Sequence, residues 1–271
     1  MGMEVTKQLC EYIEAFSYEQ IPAEALEKAK ICLLDCMGCA AGGLVDDCSR
    51  LIHEYIKTYA GKGPASIFGL QTKTDPAHAA LANGIIAHAL DFDDYHGETI
   101  THGTAACLPA VVAVAEERNL SGEDILTALV LGIEISTRIG LGLGAYHYEL
   151  GWHTTATTGR FGATAAVGKL LGLQMHQLRQ AFGLCGTQNS GVRQVFGTMG
   201  KPFNAGKPAM DGVMSAFLAE KGFTCSQDIL EGDLGILTLM TETPFPDRIL
   251  KDLGKTFHIL DISLKPYPTC A

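Results

Sequence analysis

Small residues set at helical spacing constrain this chain more than any other feature. In HAALANGIIAHAL (residues 78–90) and GRFGATAAVGKLLG (159–172), alanine and glycine stand where most helices carry larger side chains, and charged groups are few. A helix that is apolar nearly all round must be buried, and helices with such surfaces can bring their backbones into near contact. The rest of the chain follows the same period. Ile21-Pro22 opens a helix, Ala25, Ala29, Leu33, Cys36 and Ala40 continue its apolar face, and Gly42-Gly43 ends it. Asp75-Pro76 caps a helix predicted to run to about Asp91, and Thr104 to Arg118 forms another. Ser121 and Asp124 resemble a capping box ahead of ILTALVLGIEISTRIG. Further helices are predicted at about 154–171, 174–185 and 207–221, with one short extended piece from Ala65 to Leu70.

The spacing therefore predicts a mainly all-α fold. Near residue 240 the pattern changes: Pro244 and Pro246 mark a linker, and FHILDISLKPYPTCA alternates like a strand. Residues 1–242 are expected to form a helical domain and 243–271 the start of a second unit. The formal charge of −10 disfavours a nucleic-acid partner, which would demand a basic face. No run reaches the roughly 18 apolar residues of a membrane helix, so no membrane partner is expected. The N-terminus lacks the order of a secretory signal. Most of the nine cysteines sit in apolar helical context, as reduced core thiols in a cytoplasmic protein would.

Several short motifs fail on inspection. GLGLG (140–144) follows a helix rather than a strand and lacks a dinucleotide loop's third glycine. GKPFNAGKP (200–208) has the wrong glycine spacing for a phosphate loop, and Pro208 stands where Ser or Thr would hold magnesium. Cys36 and Cys39 fit CxxC, but deep inside a helix no free N-terminus lowers a thiol pKa.

HALDFDDYHGETITHG (88–103) is different, because it places three aspartates and three histidines between buried helices. Three readings are open. It is an ordinary polar loop; a metal site drawing on Asp91, Asp94, His96 and His102; or an acid–base site in which carboxylates set the basicity and tautomer of a histidine. Asp91 and Asp94 share one face if the helix reaches that far. An acid–base site for an anion needs cations nearby, and His153, Lys201 and Lys265 each lie next to glycine or proline or close to them, expected on turns.

Five spaced segments, HALDFDD with its histidine loop, GWHTTATTGRFGATAA, GTMGKPFNAGKPAMDG, GFT with ILEGDLG, and KPYP, resemble the MmgE/PrpD family across essentially the whole chain. That family includes 2-methylcitrate dehydratase, cis-aconitate decarboxylase and iminodisuccinate epimerase. The resemblance implies a large helical domain with a smaller α+β lid, a homodimer, and a cleft site that works without metal or organic cofactor. It carries catalytic roles onto Asp91, His102, His153, Lys201 and Lys265, and substrate contacts onto Tyr95, His96, Lys201 and Lys265. The implied chemistry is proton transfer alpha to a carboxylate on a small di- or tricarboxylate, as in the dehydratase; decarboxylation and epimerisation are the alternatives. His102 would be the principal acid or base, with Asp91 assisting and His153 as a second group. Tyr95 departs from the small hydroxyl residue many members carry there, and the loop from Asp91 to His102 is a residue longer than in the decarboxylase. Family members continue well past KPYP, so only the beginning of the lid is expected here. A helical-domain remnant without activity is the non-catalytic alternative.

Overall fold

A computed structural model describes residues 4–270. Among them run eleven helices: α1 (Val5–Ala15), α2 (Ala23–Gly43), α3 (Asp47–Tyr59), α4 (Pro76–His88), α5 (Gly103–Arg118), α6 (Gly122–Glu149), α7 (Thr154–Leu170), α8 (Met175–Thr187), α9 (Gly200–Glu220), α10 (Ile236–Leu239) and α11 (Pro246–Leu250). Three short 3-10 turns and two antiparallel ribbons accompany them: β1 (Ala65–Ser66) pairs with β2 (Lys73–Thr74), and β3 (Tyr95–His96) with β4 (Ile262–Ser263). The fold is mainly α.

Local signals set several starts. The Asp75 side chain accepts from the His78 backbone N–H with Pro76 in the first turn, and Ser121 and Asp124 exchange both capping-box bonds. Two boundaries depart from the sequence pattern. Helix α9 begins at Gly200 rather than 207, because Pro202 lies in the first turn, where the missing N–H needs no acceptor, and Pro208 is carried inside the helix. Helix α4 stops at His88 rather than near Asp91, and Asp91 adopts a left-handed conformation with φ of 51°. Asp91 and Asp94 therefore share no helix face.

The small-residue faces do bring backbones together. Helix α7 packs on α5, α6 and α9, and α4 lies along α9. At the α4–α9 crossing a Cβ on Gly84 would stand 2.6 Å from Gly206 Cα, and one on Gly206 would stand 2.3 Å from the Leu81 carbonyl oxygen. Neither distance is a possible contact, so only glycine fits at this crossing.

Helix α6 is long and apolar enough to span a membrane by length and composition, yet 89% of its apolar window is buried inside the protein. It also carries a buried ion pair, Arg138 Nε to Glu134 Oε1 at 2.6 Å. The same guanidinium donates to the backbone oxygens of Ile249 (3.0 Å) and Lys251 (2.7 Å), which fastens the C-terminal segment to α6. Gly144 breaks the helical path of α6 at φ 69°, and the ring of Phe245 lies against it. The residues beyond 243 thus pack onto the helical body, and β4 reaches back to β3.

Candidate active site

The turn after α4 gathers the ionisable groups. His88, the last residue of α4, lies with its Nδ1 2.7 Å from Asp93 Oδ1. His102, which precedes α5, brings its own Nδ1 to 2.9 Å from Asp93 Oδ2, an off-axis approach without an aligned hydrogen bond. All three side chains are buried. Burial opposes ionisation of Asp93, but the charges of His88 and His102 outweigh it and hold its carboxyl well below the usual range. An ionised Asp93 draws the Nδ1 protons of both rings and leaves each Nε2 as the reactive atom. His88 Nε2 is buried and has no hydrogen-bond partner. Burial also lowers the pKa of His102 against the opposing pull of Asp93, which leaves the ring neutral and basic at pH 7.

Asp91 sits beside this group, its Oδ1 3.9 Å from His102 Nε2. Two ammonium groups converge on it. Lys265, just past β4, donates to Asp91 Oδ1 (2.9 Å), to the Asp91 carbonyl (2.9 Å) and to the Thr269 carbonyl (2.8 Å). Lys201, in the first turn of α9 rather than on a loop, pairs with Asp91 Oδ2 and stands 4.9 Å from the Phe196 ring centre. Burial would raise the Asp91 pKa, but His88 and the two lysines hold it below its ordinary value. His153 precedes α7; its Nδ1 has no partner and its ring stands edge-on to Phe196, with centroids 4.9 Å apart. Burial pushes His153 well below the usual histidine pKa.

Lys201 borders two spaces. A narrow pocket is lined by His102, His153, Tyr148, Phe196 and Lys201, and an open cleft of about 790 Å³ is lined by His88, Asp91 and Lys201. Asp91, His102, His153, Lys201 and Lys265 are thus brought together. Tyr95 lies against them, its ring centre 6.2 Å from that of His102 and 5.7 Å from Lys265 Nζ. His96 is not in the group. Successive strand residues point to opposite sides, so β3 turns Tyr95 toward the site and His96 away. His96 instead meets Thr99 Oγ1 at 2.9 Å and faces a separate cavity of about 520 Å³ with His258, Arg248 and Lys251. Asp94 is buried elsewhere: the Thr104 hydroxyl donates to it at 2.7 Å, and burial raises its pKa to about 7.

His88, Asp91, Asp93 and His102 offer ligand atoms within 4.8 Å of one another, the spacing a cation could use. The ammonium groups of Lys201 and Lys265 on Asp91 oppose a dication there and suit an anion instead. A second such trio, His96, His258 and Asp261, borders the separate cavity. Among the thiols, burial pushes Cys36 and Cys39 upward, Cys39 to about 12, so this CxxC pair is unreactive.

Sequence reasoning missed His88 and Asp93 as members of the group. The available signal was a histidine closing a largely apolar helix, five residues before an aspartate. A buried ionisable group in that context needs a partner.

The profile of the MmgE/PrpD N-terminal domain matches residues 7–248. The chain belongs to the MmgE/PrpD family. It is similar to cis-aconitate decarboxylase of Aspergillus terreus, 30% identical over 280 residues, covering 98% of this chain and 57% of that protein. The Homo sapiens cis-aconitate decarboxylase is 25% identical over 274 residues, 97% of this chain and 56% of its own length. The mitochondrial 2-methylcitrate dehydratase of Yarrowia lipolytica is 25% identical over 235 residues, 80% of this chain and 44% of its own length. Both names denote lyases. This MmgE/PrpD chain spans little more than half the length of the decarboxylases it matches.

Proposed function

We propose that this MmgE/PrpD chain belongs to a lyase or isomerase that acts on a small di- or tricarboxylate by proton transfer alpha to a carboxylate, as a 2-methylcitrate dehydratase does, without a metal or organic cofactor. One observation carries the reading: two lysines converge on the carboxylate of Asp91 beside a histidine that a buried carboxylate orients. A substrate carboxylate can take the place of the Asp91 carboxylate on Lys201 and Lys265. Charge-assisted contacts of that kind contribute roughly 1.5–3 kcal/mol each, and they grow as charge builds on the carboxylate oxygens during deprotonation.

His102 Nε2 is the atom placed to take the carbon-bound proton. Asp93 fixes its tautomer and steadies the imidazolium that forms. In a dehydration the electron pair of the broken C–H bond forms a double bond, the C–O bond breaks, and the leaving oxygen takes a proton from a second acid and departs as water. Burial keeps His102 neutral in the resting protein, which favours proton abstraction as the first step. A second reading, decarboxylation, is favoured by the names of the relatives. There the C–C bond to a carboxylate breaks, carbon dioxide leaves, and a protonated histidine gives its proton to the carbanion that remains.

The experiment is proton–deuterium exchange in D2O, followed by NMR, across citrate-, aconitate- and aspartate-like acids. Wild-type protein should exchange the proton alpha to a carboxylate in at least one of them. His102→Asn and Lys201→Ala should each slow that exchange by about 10²–10⁴-fold with helicity unchanged. A silent panel, or wild-type exchange in both variants, would overturn the reading.

A further inference from the structure

The family resemblance assigns proton transfer to His102 and a second role to His153, yet the residue that shares the buried carboxylate of His102 is His88. Asp93 receives the two rings on its two oxygens, and their centroids are 4.6 Å apart in an edge-on arrangement. The outward atom of His88, Nε2, is buried without a partner, and the residue lines the open cleft together with Asp91 and Lys201. His102 lines the narrow pocket, which Lys201 also borders. Lys201 therefore borders both the space lined by His88 and the space lined by His102.

We propose that His88 is a second catalytic acid–base group, working from the cleft side of Lys201 while His102 works from the pocket side. This rests on the proton-transfer reading of the site. The electrostatics set the division of labour. Asp93 carries one negative charge and can balance one imidazolium, and two imidazolium rings at this separation would repel. The pair therefore accommodates no more than one extra proton. The groups facing it are Asp35 from α2, Asp91, Asp93 and Asp94 from the turn, Tyr95 on β3, His153 just before α7, Lys201 from α9 and Lys265 beyond β4. Burial keeps His153 neutral, so it is poorly suited to donate.

The balance closes for elimination of a β-hydroxyl. His102 Nε2 takes the carbon-bound proton, the C–H electron pair becomes the new double bond, and the C–O bond breaks. The oxygen accepts the proton held on His88 Nε2 and departs as water. One imidazolium stands over Asp93 before and after, so its charge is matched throughout. Epimerisation would use the same two atoms, one removing the proton and the other returning it. A decarboxylation needs only one donor, so the pair points to two-base chemistry.

The deciding variant is His88→Asn. The Asn amide N–H occupies the place of Nδ1–H toward Asp93, so the orientation of the turn survives while only the Nε2 position is removed. With the acid that exchanges best in wild-type protein, His88→Asn should keep carbon-proton exchange within about threefold. Overall elimination or epimerisation should fall by about 10²–10⁴-fold. In ¹⁵N NMR titrations the His102 midpoint should rise in His88→Asn, because a neighbouring like charge is gone; a purely structural role would not move it. Turnover unchanged in His88→Asn, or exchange and turnover falling together, overturns the proposal and leaves the His102 reading standing. If wild-type protein exchanges with none of the acids, the functional reading fails, and the titration alone decides: an unmoved His102 midpoint then overturns the shared proton.

Discussion

Replacing Gly84 by alanine tests whether the α4–α9 crossing holds both the fold and the site. The new methyl carbon would lie 2.6 Å from Gly206 Cα and 3.0 Å from Gly206 N. Both obstacles are backbone, so no rotamer relieves them, and the helices must move apart by most of an ångström to reach ordinary contact. Overpacking of this kind costs about 1–3 kcal/mol, and a backbone clash belongs at or beyond the upper end. Alanine's better helix propensity returns up to about 1 kcal/mol. The expected net loss is therefore about 2 kcal/mol, or roughly 5 °C in Tm for a chain of this size. Gly38 is the control. It lies exposed inside α2, and a methyl carbon added there would have nothing within 4 Å, so Gly38→Ala should gain about 0.5–1 kcal/mol from propensity alone. The assay is urea denaturation of all three proteins, with midpoints compared at a common slope. Gly84→Ala as stable as wild type would refute the backbone-contact account. The same variant should weaken carboxylate exchange, because α4 carries His88 and α9 carries Lys201.

Two further outcomes follow from the same geometry. Asp94 has a pKa raised from 3.8 to about 7 by burial, so the folded state keeps its proton longer than the unfolded chain does. Its contribution is fully present below about pH 4 and is lost as pH rises toward 7, a gap worth roughly 4 kcal/mol at most. Asp94→Asn should flatten the fall in stability between pH 4.5 and 7.5; equal slopes in wild type and variant would remove Asp94 as its source. His96→Ala should leave carboxylate exchange within about twofold of wild type, since β3 turns that ring toward the other cavity, and a hundredfold loss would place His96 back in the site.

The helical fold was legible because its signals are local. Asp75-Pro76 and Ser121–Asp124 act within one turn of chain, and the alanine and glycine runs announce burial whatever they pack against. Misread boundaries have tertiary causes. Asp91 leaves the helix for a conformation unusual in a non-glycine residue, and its carbonyl and carboxylate both accept from Lys265, 174 residues away. Nothing in the local pattern encodes that contact. Helix α9 starts at Gly200, earlier than predicted, because proline in a first turn costs little. In the site, the lysines and His102 were readable as charges beside turns, while the pairing of His88 with Asp93 was not, because a five-residue offset matches no regular period. The strand alternation that separates Tyr95 from His96 was too short to recognise from two residues.

The contacts on Asp91 also bear on the order of folding. Its partners Lys201 and Lys265 lie 110 and 174 residues further along the chain, so each contact closes a very long loop. Helices such as α4 and α5 can form from nearby residues, but the charged cluster between them cannot be completed until the last stretch of the described chain has docked. Long-range closures of this kind come late and slow the final step. A chain still emerging in N-to-C order would hold Asp91 and its neighbours uncompensated, so the anion site assembles only after Lys265 has been made and has docked.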